Sequence, residues 1–304
     1  MIVTLTGNNS FAIKRKFDEL VNEFVAKHGG LALEKIDAEA ASEMLVLEAV
    51  QSLPFLAERK MVVVRGMSQN KAAMELAEQI ISSTSDTTDL IIYEPNVDKR
   101  TSYFKVLKNH TQMQEFNEMD SQALINWLTT EAKNHSGELS YADANYLVER
   151  VGTSQQFLAT ELDKLLIFNP KITRASIDLL TEASPQSKVF ELLDAAFSGN
   201  KKRALELYEE QRVQKIEPQA IMAMIGWQLQ MITLASSAGQ RTVKQIADDS
   251  GNKPYPIEKA KVLAGKLGRA KLSDLVTDAL EIDYKSKTRT FQLDEALKNY
   301  IVTI

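Results

Sequence analysis

Cysteine is absent from this chain of 304 residues, and histidine occurs only three times. The absence of cysteine excludes disulfide bonds, cysteine-ligated zinc or iron–sulfur centres and thiol nucleophiles. His28, His110 and His135 are scattered and form no ligand spacing such as H-E-x-x-H. The sequence therefore predicts no metal site, and its lack of cysteine fits a reducing compartment.

Long hydrophobic runs and a large excess of one charge are also missing. The longest purely apolar stretches, such as residues 61–64, fall far short of the roughly twenty residues that span a membrane. The opening sequence MIVTLTGNNS has neither the basic nor the apolar region of a secretory signal. The formal net charge of −5 argues against a polybasic nucleic-acid binder. We expect a cytoplasmic protein that has no contact with a membrane.

The chain does contain a clear change of pattern along its length. Strand-like runs and helix-like periods alternate in the first third, with strands expected at 2–6, 61–65, 90–93 and 113–116 and helices at 13–25, 42–51 and 69–81. After residue 116 only helical periodicity is found, interrupted by glycine and proline. The sequence predicts an α/β part with a mostly parallel sheet, followed by an all-α remainder.

The first strand, glycine turn and helix form the frame of a phosphate-binding loop, because the amides at a helix N-terminus attract anions. The Walker A pattern G-x-x-x-x-G-K-[ST] places its lysine on the phosphates and its hydroxyl on magnesium. Aligned on Gly7, this chain has Ala12 in place of the second glycine, Ile13 in place of the lysine and Lys14 in place of the hydroxyl residue. Ile13 lies on the apolar stripe of the helix, so Lys14 is expected to point outward.

Other catalytic signals are missing as well. The strand that should end in a metal-binding acid in an ATPase ends in Arg65. No G-x-S-x-G elbow and no G-x-G-x-x-G loop is present. We therefore predict a non-functional phosphate loop, no catalytic residue and no cofactor. The alternatives are an ordinary strand–turn–helix without a ligand and an active P-loop ATPase.

The segment of residues 53–60, LPFLAERK, is the most informative stretch. A helix ends there, Pro54 forces a turn, and the large apolar residues Phe55 and Leu56 follow before three charged residues. Adjacent residues in a turn generally cannot both face one core, so at least one is expected to project outward. An exposed pair would be a hydrophobic anchor worth about 3–6 kcal/mol when buried in a partner. The alternative is that both cap the core and that Arg59 belongs to a charge pair at the start of the next strand.

Several segments, weak individually, are specific in their order and spacing. They are LTGNNSF at 5–11, SLPFLAERKMVVV at 52–64, LIIYEPNVDKR at 90–100 with Lys105, Trp127, ELDKL at 161–165, and VFELLDA at 189–195 leading to Gly199-Asn200. Together they resemble the delta subunits of the bacterial DNA polymerase III clamp loader over nearly the full length of the chain. Many relatives carry two aromatic residues where this chain has Phe55-Leu56, and the apolar bulk is kept.

The resemblance implies an AAA+-like fold that neither binds nor hydrolyses ATP, within the DNA polymerase III holoenzyme. It implies three domains: an α/β domain at 1–137, a small helical lid at 138–184, and an all-α collar at 185–304. The collar would hold a ring together with the ATPase subunits gamma or tau and with delta-prime.

The resemblance also implies a role for the apolar turn. Phe55 and Leu56, shaped by Leu53 and Pro54 and flanked by Arg59, would insert into a hydrophobic pocket of the sliding clamp, the beta subunit. The insertion would help open the clamp for loading onto primed DNA. Equal affinity for the closed and the open clamp would not shift the equilibrium between these two states. Phe55 and Leu56, which we call the wedge, therefore have to bind the open clamp more tightly.

A basic patch lies in residues 258–289, where eight basic and five acidic side chains give a local charge of +3. Tyr284 lies beside Lys285 and near Lys287, and an aromatic ring among cations can stack on an unpaired base while the cations meet phosphates. Because the resemblance implies that the collar faces primer–template DNA, these three residues are candidate DNA contacts. The alternatives are a solvated helix face with Tyr284 packed into the collar, and a free-standing helical DNA-binding protein.

Overall fold

The structure, a computed structural model, describes residues 1–55 and 57–304. The described chain forms two compact units, Met1–Met119 and Asp120–Ile304. Leu56, one of the two predicted wedge residues, lies outside the described residues. No helix among the described residues is long and apolar enough to cross a membrane.

The first unit is built on a five-stranded parallel sheet. Its strands are β1 (Ile2–Gly7), β2 (Leu33–Asp37), β3 (Lys60–Arg65), β4 (Thr88–Pro95) and β5 (Gln112–Glu115). Their order across the sheet is β2-β3-β4-β1-β5, and every neighbouring pair is parallel. The four predicted strands are confirmed, together with the parallel pairing. Strand β2 was not predicted because Ile36 is its single fully buried residue, so its sequence shows no apolar run.

Helices cover both faces of this sheet. They are α1 (Ser10–His28), α2 (Glu43–Gln51), α3 (Lys71–Glu75), α4 (Ala77–Ser82) and α5 (Ser102–His110). Alternate residues of β3 enter different cores: Val62 and Val64 face α2, α4 and α5, whereas Met61 and Val63 face α1. A strand that is buried on both faces reads as a continuous apolar run, which explains why β3 could be predicted. The helix predicted at 69–81 is divided at Leu76 into α3 and α4.

The second unit is helical apart from two very short strands. Its helices are α6 (Ser121–Asn134), α7 (Tyr141–Val151), α8 (Gln155–Phe168), α9 (Arg174–Leu180), α10 (Pro185–Phe197), α11 (Lys201–Val213), α12 (Pro218–Ser236), α13 (Val243–Ser250), α14 (Pro254–Ala264), α15 (Arg269–Thr288) and α16 (Leu293–Thr303). Strands β6 (Glu138–Leu139) and β7 (Lys171–Ile172) pair in parallel. The expectation of helices alone after residue 116 was wrong here, because two residues are too few to show a strand period.

The division between the units lies at Met119–Asp120, earlier than the predicted end of the α/β domain at residue 137. Helix α6 packs against α7 and α8 and therefore belongs with the helical unit. A helical period alone does not reveal which neighbours a helix packs against. Within the second unit, α10 begins at Pro185 with Ser184 as its N-cap, and one core cluster draws its buried residues from 189 to 304. The boundary predicted at 185 coincides with the start of this helix.

Candidate functional site

The two features that the sequence singles out lie at opposite edges of the sheet. All five strands run in the same direction, so they begin at one edge and end at the other. Residues 52–59, which we call the tip, connect the end of α2 to the start of β3. Gly7 and Arg65 lie at the ends of β1 and β3, at the carboxyl edge. The tip and the degenerate phosphate loop are therefore separated by the length of the strands.

Two large apolar side chains of the tip, Leu53 and Phe55, project into solvent. Phe55 is 82% exposed and Leu53 is 75% exposed. The alternative that Phe55 caps the core is therefore wrong. Pro54 is partly buried between them, and Ala57 packs against the cluster under α1. Leu53 and Phe55 are thus turned to solvent, while Ala57, nearer to β3, is fixed to the core.

Arg59 fixes the tip to the neighbouring strand. Its guanidinium donates to the Asp89 carboxylate at 2.8 Å and 3.4 Å and to the Asp86 carbonyl oxygen at 2.9 Å. The hydrogen bond to Asp89 raises the pKa of Arg59. Burial acts to raise the pKa of Asp89, but hydrogen bonds from Arg59 and the Met1 amino group outweigh it and lower that pKa. Arg59 thus lies at the base of the tip and is committed to its own chain.

Lys60 fixes the other side of the tip, a role that the sequence did not suggest. Its ammonium is buried and donates to the Ala49 carbonyl oxygen and to the Ser52 hydroxyl, the latter at 2.6 Å. Burial lowers the pKa of Lys60, against the opposing charge of Glu34. A cation at the carboxyl end of α2 also favours the helix dipole. The available signal was a lysine at the start of an otherwise apolar strand.

At the carboxyl edge, the chain itself fills the turn of the degenerate loop. Gly7 has φ of 120°, and a Cβ built there would lie 1.9 Å from the Phe116 carbonyl oxygen. The Asn9 amide donates to that same oxygen at 3.1 Å, and the Asn9 side chain accepts from the Ala12 amide at 3.0 Å. Helix α1 begins at Ser10, directly after this cap. The Ala12 amide, which lies where a phosphate would be cradled, is therefore bonded within the protein.

The side chains at the Walker positions face as the apolar pattern predicts. Ile13 is fully buried in the core under α1. Lys14 is exposed and forms an ion pair with Asp18 at 2.5 Å, one turn further along α1. Neither residue presents a cation to the turn at Gly7.

Arg65 occupies a position that the sequence could not foresee. Its guanidinium lies 4.7 Å from the ring centre of Phe17 and 4.9 Å from that of Tyr93, and the two rings meet edge to face at 5.5 Å. Phe17 comes from α1 and Tyr93 from the neighbouring strand β4, opposite Arg65 in register. An arginine on two aromatic faces is stabilised as a cation. The place of a metal-binding acid is taken by this stack.

The candidate DNA contacts lie together on α15. Tyr284 is 65% exposed, so the alternative that it packs into the collar is wrong. Lys285 forms an ion pair with Glu281, and Lys287 forms one with Asp283 at 2.7 Å. Each lysine is thus paired with an acidic residue one turn earlier on the same helix. An exposed aromatic ring remains, with less free positive charge beside it than the sequence suggests.

An apolar groove between α12 and α15 was not foreseen, because it exists only where the two helices pack. It has a volume of about 450 Å³. Its lining residues are Met222, Ala223, Gly226, Leu229, Gln230, Thr233, Leu234, Val276, Ala279, Leu280, Asp283 and Lys287. Gly226 lies within α12, and a Cβ built there would meet nothing within 4 Å. Glycine costs a helix interior about 1 kcal/mol relative to alanine, and this chain's own packing gives no reason for it.

Comparison with known proteins places these features in a family. Two models match the chain: one described as DNA polymerase III, delta subunit, at residues 4–117, and one described as DNA polymerase III delta subunit, C-terminal domain, at residues 186–304. DNA polymerase III subunit delta of Bacillus subtilis (strain 168) is 24% identical over 257 residues, which cover 78% of this chain and 73% of the relative.

A solved structure agrees in fold. The DNA clamp loader delta protein of Bacillus subtilis superposes with a TM-score of 0.76 at 20% identity, covering 99% of this chain and 94% of that one. The fold is thus an AAA+-like α/β domain followed by helical domains. The first family match contains the tip and the degenerate loop, and the second contains the groove and the Tyr284 region. On these matches, the chain belongs to the family of DNA polymerase III delta subunits.

Proposed function

We propose that this chain is the subunit of a clamp loader that binds the sliding clamp and helps to open it for loading onto primed DNA. The observation that carries the proposal is the tip. A phenylalanine that is 82% exposed follows a proline turn, on a segment fixed at its base by Arg59 and Lys60. A large apolar side chain that is held out from a braced turn has the properties of a binding anchor.

The tip acts by differential binding. Burying one large apolar side chain contributes about 1.5–3 kcal/mol, and Leu56 adds to Phe55 in the proposal. This free energy opens the clamp only to the extent that the pocket accepts the tip better in the open clamp. Because Arg59 and Lys60 are already hydrogen-bonded at the base of the tip, these two side chains need no further ordering on binding.

The proposed subunit performs no ATP hydrolysis and has no catalytic residue of its own. Support comes from the carboxyl edge of the sheet, where Phe116 bonds the turn, Ile13 is buried and Arg65 stacks on aromatic rings. Titration with labelled ATP and magnesium is expected to give no saturable binding. Saturable binding would favour the alternative of an active P-loop ATPase.

The proposed partners within the complex are the gamma or tau ATPase subunits, delta-prime and primer–template DNA. We assign the neighbouring subunits to the collar at 185–304, where the groove between α12 and α15 leaves apolar surface uncovered. Leu280 is an exposed apolar residue on its rim. For DNA, Tyr284 is the favoured contact because its ring is exposed, and Lys285 and Lys287 would first have to leave their acidic neighbours. The division of the helical part into a lid and a collar at 184–185 belongs to the same proposal.

The proposal is tested with the sliding clamp of the same organism. Phe55→Ala is expected to weaken the affinity of the chain for the clamp at least tenfold, and Phe55→Ala with Leu56→Ala to abolish detectable binding. Phe157→Ala removes an equally large exposed ring from α8 in the other unit and serves as the matched control. Circular dichroism checks that all variants are folded. Undiminished binding of the double variant would contradict the proposal.

A further inference from the structure

Among the described residues, Leu31 stands out by the exposure of its apolar side chain. It is 99% exposed, the highest value among the exposed large apolar side chains. It lies in a short 3-10 turn, Gly30–Ala32, that connects α1 to β2. A leucine that is fully in solvent contributes nothing to the core of its own chain, and a polar residue would serve the turn equally well.

The turn that carries Leu31 lies beside the tip. Strands β2 and β3 are hydrogen-bonded neighbours, with Leu33 opposite Met61, and neighbouring strands lie about 4.8 Å apart. The turn leads into β2 and the tip leads into β3, so both lie at the amino edge of the sheet. The two segments also share their support, because Ala32 and Ala57 contact the same hydrophobic cluster under α1.

The next loop along this edge is polar, unlike the turn at Leu31 and the tip. Residues 83–87, which precede β4, are serine, threonine and aspartate, and Arg59 is bonded to Asp86 there. Exposed apolar side chains at Leu31, Leu53 and Phe55 are therefore concentrated at the starts of β2 and β3. All three side chains thus lie at the amino edge of the sheet, before two neighbouring strands, and the loop before the next strand is polar.

We infer that Leu31 is a second apolar contact for the sliding clamp, next to the pocket that receives Phe55. This inference rests on the proposed function of the tip and deepens it. An anchor at one point leaves the two proteins free to pivot about it, whereas a second contact before the neighbouring strand fixes their orientation. The partner surface that fits is a hydrophobic pocket with a separate shallow apolar patch beside it.

The test compares clamp affinities of full-length variants. Leu31→Ser is expected to weaken binding to the clamp about tenfold, mainly through faster dissociation, with an unchanged melting temperature. Leu179→Ser, which removes an exposed leucine from α9 in the other unit, is the matched control and is expected to bind like the unmodified chain. An unchanged affinity for Leu31→Ser overturns the inference.

The outcome for Phe55→Ala separates this inference from the proposed function. Loss of binding in Phe55→Ala, with full binding in Leu31→Ser, overturns the second contact alone. Full binding in both variants, or no binding of the unmodified chain, overturns the proposed function and the inference with it. If Leu31 instead contacts a second copy of this chain, sedimentation shows a dimer that Leu31→Ser removes while clamp binding is retained, and the inference is also overturned.

Discussion

At the scale of single residues, hydrogen bonds fix the segments at both edges of the sheet. Arg59 and Lys60 are adjacent charges that both bond inward, to Asp89 and to the end of α2. The sequence predicted only that at least one of Phe55 and Leu56 projects outward, because adjacent residues in a turn generally cannot both face one core. It could not predict the partners of Arg59, since Asp89 lies 30 positions away on another strand.

Gly7 provides a test of how closely the chain fills its degenerate loop. Gly7→Ala is expected to lower the free energy of unfolding by about 2–4 kcal/mol, because the new Cβ would overlap the Phe116 carbonyl group at a positive φ. Gly30→Ala is the matched control, since a Cβ there meets nothing within 4 Å, and it is expected to change stability by less than about 1 kcal/mol. Urea unfolding measures both. Equal effects would contradict the close approach of Phe116.

The Arg59–Asp89 pair predicts a dependence of stability on pH. The pKa of Asp89 is lowered in the folded chain below its model-peptide value of 3.8. The pair therefore contributes fully above about pH 4–5, and its contribution is lost as pH falls through the lowered pKa. Asp89→Asn is expected to destabilise the chain by about 1 kcal/mol at pH 7, discounted for the partial exposure of Arg59, and by progressively less as the pH falls through the lowered pKa of Asp89. A difference in unfolding free energy that is independent of pH would contradict this assignment.

At the scale of elements, predictability followed burial. Helix α1 and strand β3 could be predicted because each buries an apolar pattern of the right period. Strand β2 and the break between α3 and α4 could not, because an edge strand has little apolar pattern and a short break barely disturbs a helical one. The groove between α12 and α15 belongs to a pair of helices, so neither helix reveals it alone.

Substitutions of Gly226 in helix α12 are expected to affect folding and assembly in opposite directions. Gly226→Ala is expected to stabilise the isolated chain by about 1 kcal/mol, because it adds helix propensity without any clash. Gly226→Leu should also fold but fill the groove, and its assembly with the partner subunits is expected to be weakened at least tenfold. Thermal unfolding and size-exclusion chromatography of the mixed subunits measure the two effects. If Gly226→Leu assembles as well as the unmodified chain does, the groove is not part of the subunit interface.

At the scale of the whole molecule, the chain combines a sheet with a filled phosphate loop, an apolar tip at the opposite edge, and a helical region with its own core. The −5 net charge is an average over the whole chain and says little about any one surface. Of the eight basic residues in 258–289, Lys259, Lys266, Lys285 and Lys287 form ion pairs within the chain. Such pairing reduces the charge available for DNA, and charge counting along the sequence cannot reveal it.

Opening of the sliding clamp tests the central claim most directly. Fluorophores placed across one subunit interface of the clamp report the distance between them by energy transfer. The unmodified chain is expected to lower the energy transfer in a saturable way, and Phe157→Ala should do the same. Phe55→Ala with Leu56→Ala should leave the transfer at the level of the free clamp. If the double variant opens the clamp as well as the unmodified chain does, the tip is not the opening element.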